Sequence, residues 1–249
     1  MPTLPYLALS LIVIAAIVIA ERRWNPQPTD WRRNLEAWLV QLTIAETLLP
    51  LIHGWGAPAW LDGARMPFLL GFAVFLVARD FAEFAFHVAQ HRVPLLWAMH
   101  SLHHSDPEMS TTTAARHFWG DQLLKAVTVW PAAALVVAPT PAMVLGYSLV
   151  AFYHYFIHAD LRVDFGRWSW LLNSPAYHRR HHSQLPEHYG SNFAGLLPVF
   201  DVLAGSYRRP DGWPPTGLEQ APQTFGETIA WPLVLRRREA AGRSGVSPA

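Results

Sequence analysis

The pattern His-x-x-His-His occurs twice in this 249-residue chain, at residues 100–104 and 178–182. Each copy follows a His-x-x-x-His pair, at residues 87–91 and 154–158. Residues three and four apart share one face of an α-helix, so positions one, four and five of each pattern are predicted to form a single stripe. Neutral imidazole is a common ligand of first-row metals. The spacing therefore predicts four sets of imidazoles that meet at a metal site.

The number of histidines predicts two ions rather than one. The candidate ligands, which are also the candidate catalytic residues, are His87, His91, His100, His103, His104, His154, His158, His178, His181 and His182. A zinc site takes three or four protein ligands, so ten are too many for one zinc. Ten suit two metals with about five nitrogens each, and with an open position for a substrate oxygen or dioxygen.

The composition is typical of a membrane protein. Hydrophobic residues make up 51% of the chain and charged residues only 15%, against roughly 25–35% charged residues on a soluble surface. The apolar runs are 4–20, 35–52, 66–92, 122–138 and 141–159. We therefore expect an all-α integral membrane helical bundle of four to five spans, with a cytoplasmic helical cap that holds a di-metal site.

Arginines set the expected orientation. Arg22, Arg23, Arg32 and Arg33 follow the first apolar run, so this side is predicted to be cytoplasmic. We expect a multi-pass protein of a bacterial inner membrane with its active site on the cytoplasmic face. The predicted domains are N-terminal membrane anchor helices (1–65), a catalytic domain (66–209) and a cytoplasmic C-terminal tail (210–249).

Two further features of the composition exclude classes of function. The chain has no cysteine, which excludes disulfides, thiolate metal sites and iron–sulfur clusters. Its net charge is +1, so no basic field favours nucleic acid.

The histidine patterns stand in a context that resembles the fatty acid hydroxylase/sterol desaturase superfamily of membrane di-iron oxygenases. The matching motifs are Asp80-x3-Phe84-x2-His87-x3-His91, Trp97-x2-His100-x2-His103-His104, His154-x3-His158, Asn173-Ser174-Pro175-x2-His178-x2-His181-His182, Asn192-Phe193-x-Gly195 and Asp201-x3-Gly205-Ser206-Tyr207. The likeness runs from about Phe72 to Arg209. It implies that the ten histidines hold two iron ions (Fe2+/Fe3+), for which zinc can substitute.

The same resemblance implies an oxidoreductase that hydroxylates or desaturates a lipid C–H bond with dioxygen. The substrate classes it implies are sterols, fatty acyl chains, carotenoids and ether lipids. The sequence contains no flavin, dinucleotide or haem motif. Electrons are therefore expected from a separate donor of the ferredoxin or cytochrome type.

Four residues near the histidine patterns are predicted to support the metal ligands. Asp80 and Glu83 lie seven and four residues before His87, on the same helix face. Asn192 and His188 follow the last pattern. His117 is left open between a role at the site and none. Arg179 and Arg180 are left open between contacts to lipid phosphate or an acidic electron donor and a solvated face.

Three other interpretations remain at this point. The chain could be a bis-histidine haem membrane protein that transfers electrons, although adjacent histidines have no purpose there. It could be a non-catalytic metal-binding membrane protein, used for storage or transport. It could also be a relative of the soluble acyl desaturases that shares only the chemistry.

Overall fold

A computed structural model describes residues 4–25, 31–52 and 58–242. Within these ranges the chain forms twelve α-helices and one two-residue parallel strand pair. The helices are α1 (Leu4–Trp24), α2 (Arg32–Ile52), α3 (Phe68–Arg92), α4 (Pro94–His104), α5 (Trp119–Val127), α6 (Val129–Val136), α7 (Pro141–Val150), α8 (Tyr153–His158), α9 (Pro175–His181), α10 (Val199–Ala204), α11 (Phe225–Ile229) and α12 (Trp231–Gly242). The strands β1 (Leu61–Asp62) and β2 (Val137–Ala138) pair beside α3.

The predicted fold class, an all-α integral membrane bundle of four to five spans, is wrong, although the described residues are largely helical. Among the residues that the structure describes, no helix is both long enough and apolar enough to cross a bilayer. The run 122–138 is divided into α5 and α6 of 9 and 8 residues, and α7 has 10, whereas a span needs about 20. The side chains of residues 4–10, 45, 46 and 49–52, in the first two expected spans, lie outside the described part.

Helix α3 is long but carries a buried ionic network in its middle. Glu83 pairs with Arg79 at 2.6 Å and with Lys125 of α5 at 2.6 Å. The Arg79 guanidinium also lies over the rings of Trp130 (4.9 Å) and Tyr147 (5.1 Å). Burial opposes ionisation of Glu83, but the two cations hold its pKa well below the usual range. The ion pairs of Glu83 thus join α3 to α5, and the cation–π contacts of Arg79 join α3 to α6 and α7. These charged residues explain why α3 is less apolar than a membrane span.

Proline and serine set the starts of the two helices that carry His-x-x-His-His. Val93 is extended and ends α3, and Pro94 then occupies the first turn of α4. Ser174 caps α9 by accepting a hydrogen bond from the Tyr177 amide, and Pro175 follows. Proline suits the first turn because the N–H it lacks would have no partner there. These caps fix the position along the chain at which each histidine pattern begins.

Both terminal segments pack onto the middle of the chain. Glu21 of α1 accepts the amides of Thr111 (3.0 Å) and Asp160 (2.6 Å). In α12, Trp231 is fully buried with Leu102, and its indole donates to the Ser101 hydroxyl at 2.9 Å. The domain division at residues 65 and 209 stays a prediction. The segment expected to be a tail nevertheless supplies part of the core behind α4.

Trp231 should therefore contribute far more to stability than its neighbours in α12. Trp231→Ala is expected to lower the free energy of unfolding by about 3–5 kcal/mol, because it removes a large buried side chain and leaves a cavity. Leu233→Ala in the same helix is the matched control, since Leu233 is 61% exposed, and it should change stability by less than about 0.5 kcal/mol. Urea unfolding of both variants measures the difference, and equal losses would contradict this packing.

Candidate metal centre

Nine of the ten predicted histidines lie in two groups. The first, called the five-histidine cluster, contains His87, His91, His100, His104 and His181; the second, called the four-histidine cluster, contains His103, His158, His178 and His182. Within each group, one ring nitrogen from every residue lies within 4.8 Å of the others. Helices α3, α4, α8 and α9 supply them. Residues far apart in the sequence thus converge on two adjacent points.

The two His-x-x-His-His patterns divide their residues between the clusters in opposite ways. In α4, His100 and His104 enter the five-histidine cluster and His103 enters the other. At α9, His178 and His182 enter the four-histidine cluster and His181 enters the five-histidine cluster. The expectation that positions one, four and five form a single stripe is therefore wrong. Positions one and five stand one turn apart and face one cluster, while position four faces the next.

Backbone carbonyls orient three of the rings through Nδ1. Nδ1 of His87 bonds the Phe193 carbonyl at 2.6 Å, and Nδ1 of His181 bonds the Ser191 carbonyl at 2.9 Å. Nδ1 of His158 bonds the carbonyl of His154 at 2.5 Å. A carbonyl only accepts, so each Nδ1 carries the hydrogen and each Nε2 keeps a free lone pair. This is the tautomer in which Nε2 can bind a metal.

The free Nε2 atoms face one another at short range. Nε2 of His87 lies 3.0 Å from Nε2 of His100. Nε2 of His158 lies 3.0 Å from the Nε2 atoms of both His103 and His178. Because His87 and His158 hold their hydrogens on Nδ1, their Nε2 atoms can only accept, and the single lone pair on Nε2 of His158 cannot accept a hydrogen from both His103 and His178.

Further buried nitrogens lack partners in the described part of the chain. The Nε2 atoms without a hydrogen-bond partner there are those of His91, His104, His181 and His182. Buried polar atoms are rarely left unpaired. Orphaned lone pairs that converge in two places fit two metal ions, so the residues present suit such a group.

Burial also favours the neutral, metal-binding form of these rings. It lowers the pKa of His181 from the ordinary value of 6.5 to about 4. It also lowers the pKa of His87, His100, His103 and His178 well below that value. Neighbouring imidazoles act in the same direction because each would repel a proton on the next. The clusters are therefore uncharged at neutral pH.

His154, the tenth predicted ligand, is in neither cluster. Its side chain lines a small cavity with Asp80, Tyr147 and Tyr153. A Cβ added at Gly195 would lie 3.0 Å from Cε1 of His154, so glycine is needed for this close approach. His154 still supports the four-histidine cluster, because its backbone carbonyl fixes the ring of His158.

Comparison with known proteins agrees with this geometry. The sequence profile of the fatty acid hydroxylase family matches residues 72–206, more than half of the chain and all ten histidines. This chain belongs to the fatty acid hydroxylase family. The family is metal-dependent, and the two histidine clusters supply donors of the required kind.

Curated relatives of the chain include lipid oxygenases. Alkylglycerol monooxygenase from Xenopus tropicalis is 33% identical over 128 residues, which cover 51% of this chain and 28% of the relative. The human alkylglycerol monooxygenase is 29% identical over 150 residues (59% and 32%). Ornithine lipid hydroxylase OlsE from Rhizobium tropici is 28% identical over 153 residues (61% and 45%). The match thus spans less than half the length of these relatives, and no solved structure matches the chain.

The predicted supporting carboxylates act at a distance in this family member. Asp80 accepts the amides of Leu196 (3.1 Å) and Leu197 (2.9 Å), and burial raises its pKa to about 7. It therefore holds one end of the segment 191–197, whose carbonyls orient His87 and His181. Glu83 is committed to its ion pairs with Arg79 and Lys125.

Asn192 and His188 also brace the backbone around the clusters. Asn192 has a positive φ of 61°, and its side chain bonds the amide (2.7 Å) and carbonyl (2.9 Å) of Arg208. The His188 ring bonds the hydroxyl of Ser183 at 3.0 Å, and Ser183 directly follows the predicted ligand His182. Both predictions of a supporting role concern direct contact with the ligands and stay predictions.

A buried carboxylate to which the sequence analysis gave no role, although it stands in a matched motif, holds the middle of segment 191–197. Asp201 is fully buried and accepts the amides of Phe193 (2.9 Å) and Ala194 (2.7 Å). It also accepts the hydroxyls of Tyr177 (2.6 Å) and Ser206 (2.6 Å). Four hydrogen bonds compensate its charge. Asp201 and Asp80 together fix the carbonyls that orient the five-histidine cluster.

The structure also shows the contacts of the residues whose roles the sequence left open. The His117 ring stacks on His103 at 4.1 Å and 13°, so it does touch the site. Arg179 pairs with Asp160 at 2.9 Å and Arg180 pairs with Asp211, so both arginines between the ligands have internal partners. His53 lies outside the described residues.

The metal-free protein should lose stability in acid. All ten histidines predicted as ligands have a lowered pKa, and for His154 and His181 it is about 4. Between about pH 6.5 and 4 the unfolded chain binds protons that the folded chain does not, so the free energy of unfolding falls as the pH is lowered. Asp80 and Glu21, whose pKa values are raised by burial, act in the opposite direction but are two groups against ten.

Urea unfolding of the metal-free chain at pH 7 and pH 5 measures this effect. We expect a decrease of more than about 2 kcal/mol at pH 5, since one pH unit at one fully shifted histidine is worth about 1.4 kcal/mol. A free energy of unfolding that is the same at both pH values would show that the rings are not held neutral.

Proposed function

We propose that this chain is a metal-dependent lipid hydroxylase, an oxidoreductase that inserts one oxygen atom of dioxygen into a lipid C–H bond. The observation that carries the proposal is the convergence of nine buried imidazoles into two adjacent clusters within a fatty acid hydroxylase domain. In the balanced reaction, one C–H bond, one dioxygen, two electrons and two protons give an alcohol and one water.

The nine clustered histidines are the ligands in this proposal. Five would hold one iron ion and four the other, and zinc competes for the same nitrogens. When bound, the two metal ions would supply the reductive activation of dioxygen. The protein keeps the rings neutral by burial and aims Nε2 through the carbonyls of Phe193, Ser191 and His154. With nine ligands rather than ten, the four-histidine cluster would supply one nitrogen fewer than the five-histidine cluster.

Phe193 makes one side of the five-histidine cluster apolar. Its ring centroid lies 5.2 Å from His91, 5.6 Å from His181 and 5.8 Å from His87. Behind it, Phe84 and Phe200 extend the aromatic group towards Phe81, which is half-exposed. Such a surface favours a hydrocarbon chain over a polar substrate. The names of the relatives point to alkylglycerols and ornithine lipids, and we propose a lipid of this amphipathic kind.

The electrons would come from a separate protein. The sequence carries neither a dinucleotide motif nor a cysteine for an iron–sulfur cluster. A ferredoxin-type or cytochrome-type donor is the proposed partner. A bis-histidine haem is disfavoured by the clusters themselves, because opposing Nε2 atoms 3.0 Å apart leave no room for a porphyrin between them.

Metal analysis of two glutamine variants tests the ligand assignment. His178→Gln removes a nitrogen of the four-histidine cluster and should reduce bound metal from two ions per chain to about one. His154→Gln should keep two, because its ring lies outside both clusters and its backbone carbonyl is unchanged. Elemental analysis of the purified proteins gives the count. Loss of an ion in His154→Gln would restore it as a tenth ligand and overturn the assignment.

Lipid profiling tests the reaction. Cells that produce the chain should contain a lipid class heavier by one oxygen atom than the same class in cells without it. His103→Ala should remove the product, while Leu233→Ala, at an exposed position of α12, should leave it unchanged. A lipid lighter by two hydrogens would mean desaturation instead. No change in any lipid class would contradict an oxygenase and favour a protein that only binds metal.

A further inference from the structure

Four buried polar atoms meet beside the five-histidine cluster with no hydrogen-bond partner among the described residues. They are Nδ1 of His100, Nδ1 of His117 and both carboxylate oxygens of Asp121. One donor atom from each of these three residues lies within 4.8 Å of the other two. Asp121 is only 1% exposed. A buried carboxylate with neither oxygen satisfied is costly, so its retention calls for a ligand or a role.

This group lies at the boundary between the two clusters. His100 belongs to the five-histidine cluster, and His117 stacks on His103 of the four-histidine cluster. Gln41 of α2 fixes the backbone of His117 by donating to its carbonyl at 3.1 Å. Asp121 stands in the first turn of α5, with Oδ2 3.6 Å from Nδ1 of His117. That gap is just beyond a direct hydrogen bond and is one that a single water can bridge.

The chemistry of a ligating imidazole explains why a carboxylate is needed here. If His100 binds an ion through Nε2, its Nδ1 carries a hydrogen that needs an acceptor. His87 and His181 already have backbone carbonyls for this purpose. His100 has none, and the acceptor within reach is Asp121. The nearby carboxylates of α3 are already engaged, since Glu83 binds two cations and Asp80 binds two amides.

We propose that Asp121 is the positioning carboxylate of the five-histidine cluster. Together with His117 it accepts the Nδ1 hydrogen of His100 through one bridging water, and its negative charge offsets part of the charge of the bound ion. The inference rests on the proposed function only in requiring that the cluster holds a metal. It does not depend on which lipid is oxidised.

Titration of the metal-free full chain with cobalt(II) tests the inference without an activity assay. Cobalt bound by imidazoles absorbs visible light, so each site can be followed directly. The wild type should take up two ions. Asp121→Asn should weaken one of the two binding steps by 10–100-fold, as loss of an outer partner of a ligand typically does. The control Asp62→Asn, at a half-exposed carboxylate far from the clusters, should titrate like the wild type.

Combining Asp121→Asn with His178→Gln shows which cluster has the weakened cobalt site. His178→Gln removes a ligand of the four-histidine cluster and leaves one cobalt site. Asp121→Asn should weaken that remaining site as well, because it acts on the other cluster. The melting temperature of metal-free Asp121→Asn should equal or exceed that of the wild type, since the substitution removes an uncompensated buried charge. A merely structural role would lower both the melting temperature and the affinity.

The remaining outcomes overturn the inference in separate ways. Equal cobalt affinity in Asp121→Asn and wild type would remove Asp121 from the site and leave the proposed function intact. A third cobalt ion in the wild type that Asp121→Asn loses would replace the positioning role with a separate cation site made by His100, His117 and Asp121. A wild-type chain that binds no cobalt would overturn both the inference and the proposed function.

Discussion

The meeting of neutral imidazole lone pairs in a buried space is the constraint on which the rest of this structure depends. Nε2 of His158 lies 3.0 Å from two other Nε2 atoms but has one lone pair, so at least one of these close contacts is not a hydrogen bond in the metal-free protein. The fold must therefore hold them in place by other bonds. Rings are fixed through Nδ1 by carbonyls of segment 191–197 and of α8. Asp201 and Asp80 in turn fix that segment through four backbone amides.

Several positive charges near the histidines in sequence are paired with carboxylates of the chain. Three arginines of the ligand-bearing segments are paired within the chain: Arg179 with Asp160, Arg180 with Asp211, and Arg79 with Glu83. Strong positive charge close to the clusters would weaken cation binding, and these pairs remove it. The carboxylates that would compensate a bound ion are few, which is why the unpartnered oxygens of Asp121 matter.

The sequence predicted the chemistry of the site better than the architecture around it. Histidine spacing identified nine clustered residues because i, i+4 geometry is local and survives any tertiary arrangement. The ligand role of His154 stays a prediction: its ring lies outside both clusters, and its direction depends on the packing of α8 against Gly195. Asp121 and Trp231 lie outside the matched motifs, and Asp201 lies in a motif that does not state its role. The roles of all three come from long-range contacts. The prediction of a membrane bundle is wrong because apolar composition does not show that helices end at Thr128 and Ala151, within the apolar runs 122–138 and 141–159.

Anomalous X-ray scattering from crystals of the iron-loaded protein, collected at the iron absorption edge, would locate the bound ions. We expect two peaks per chain, one bounded by His87, His91, His100, His104 and His181, and one by His103, His158, His178 and His182. A map with no iron peak among these rings, or with a single peak at another place in the chain, would contradict this expectation.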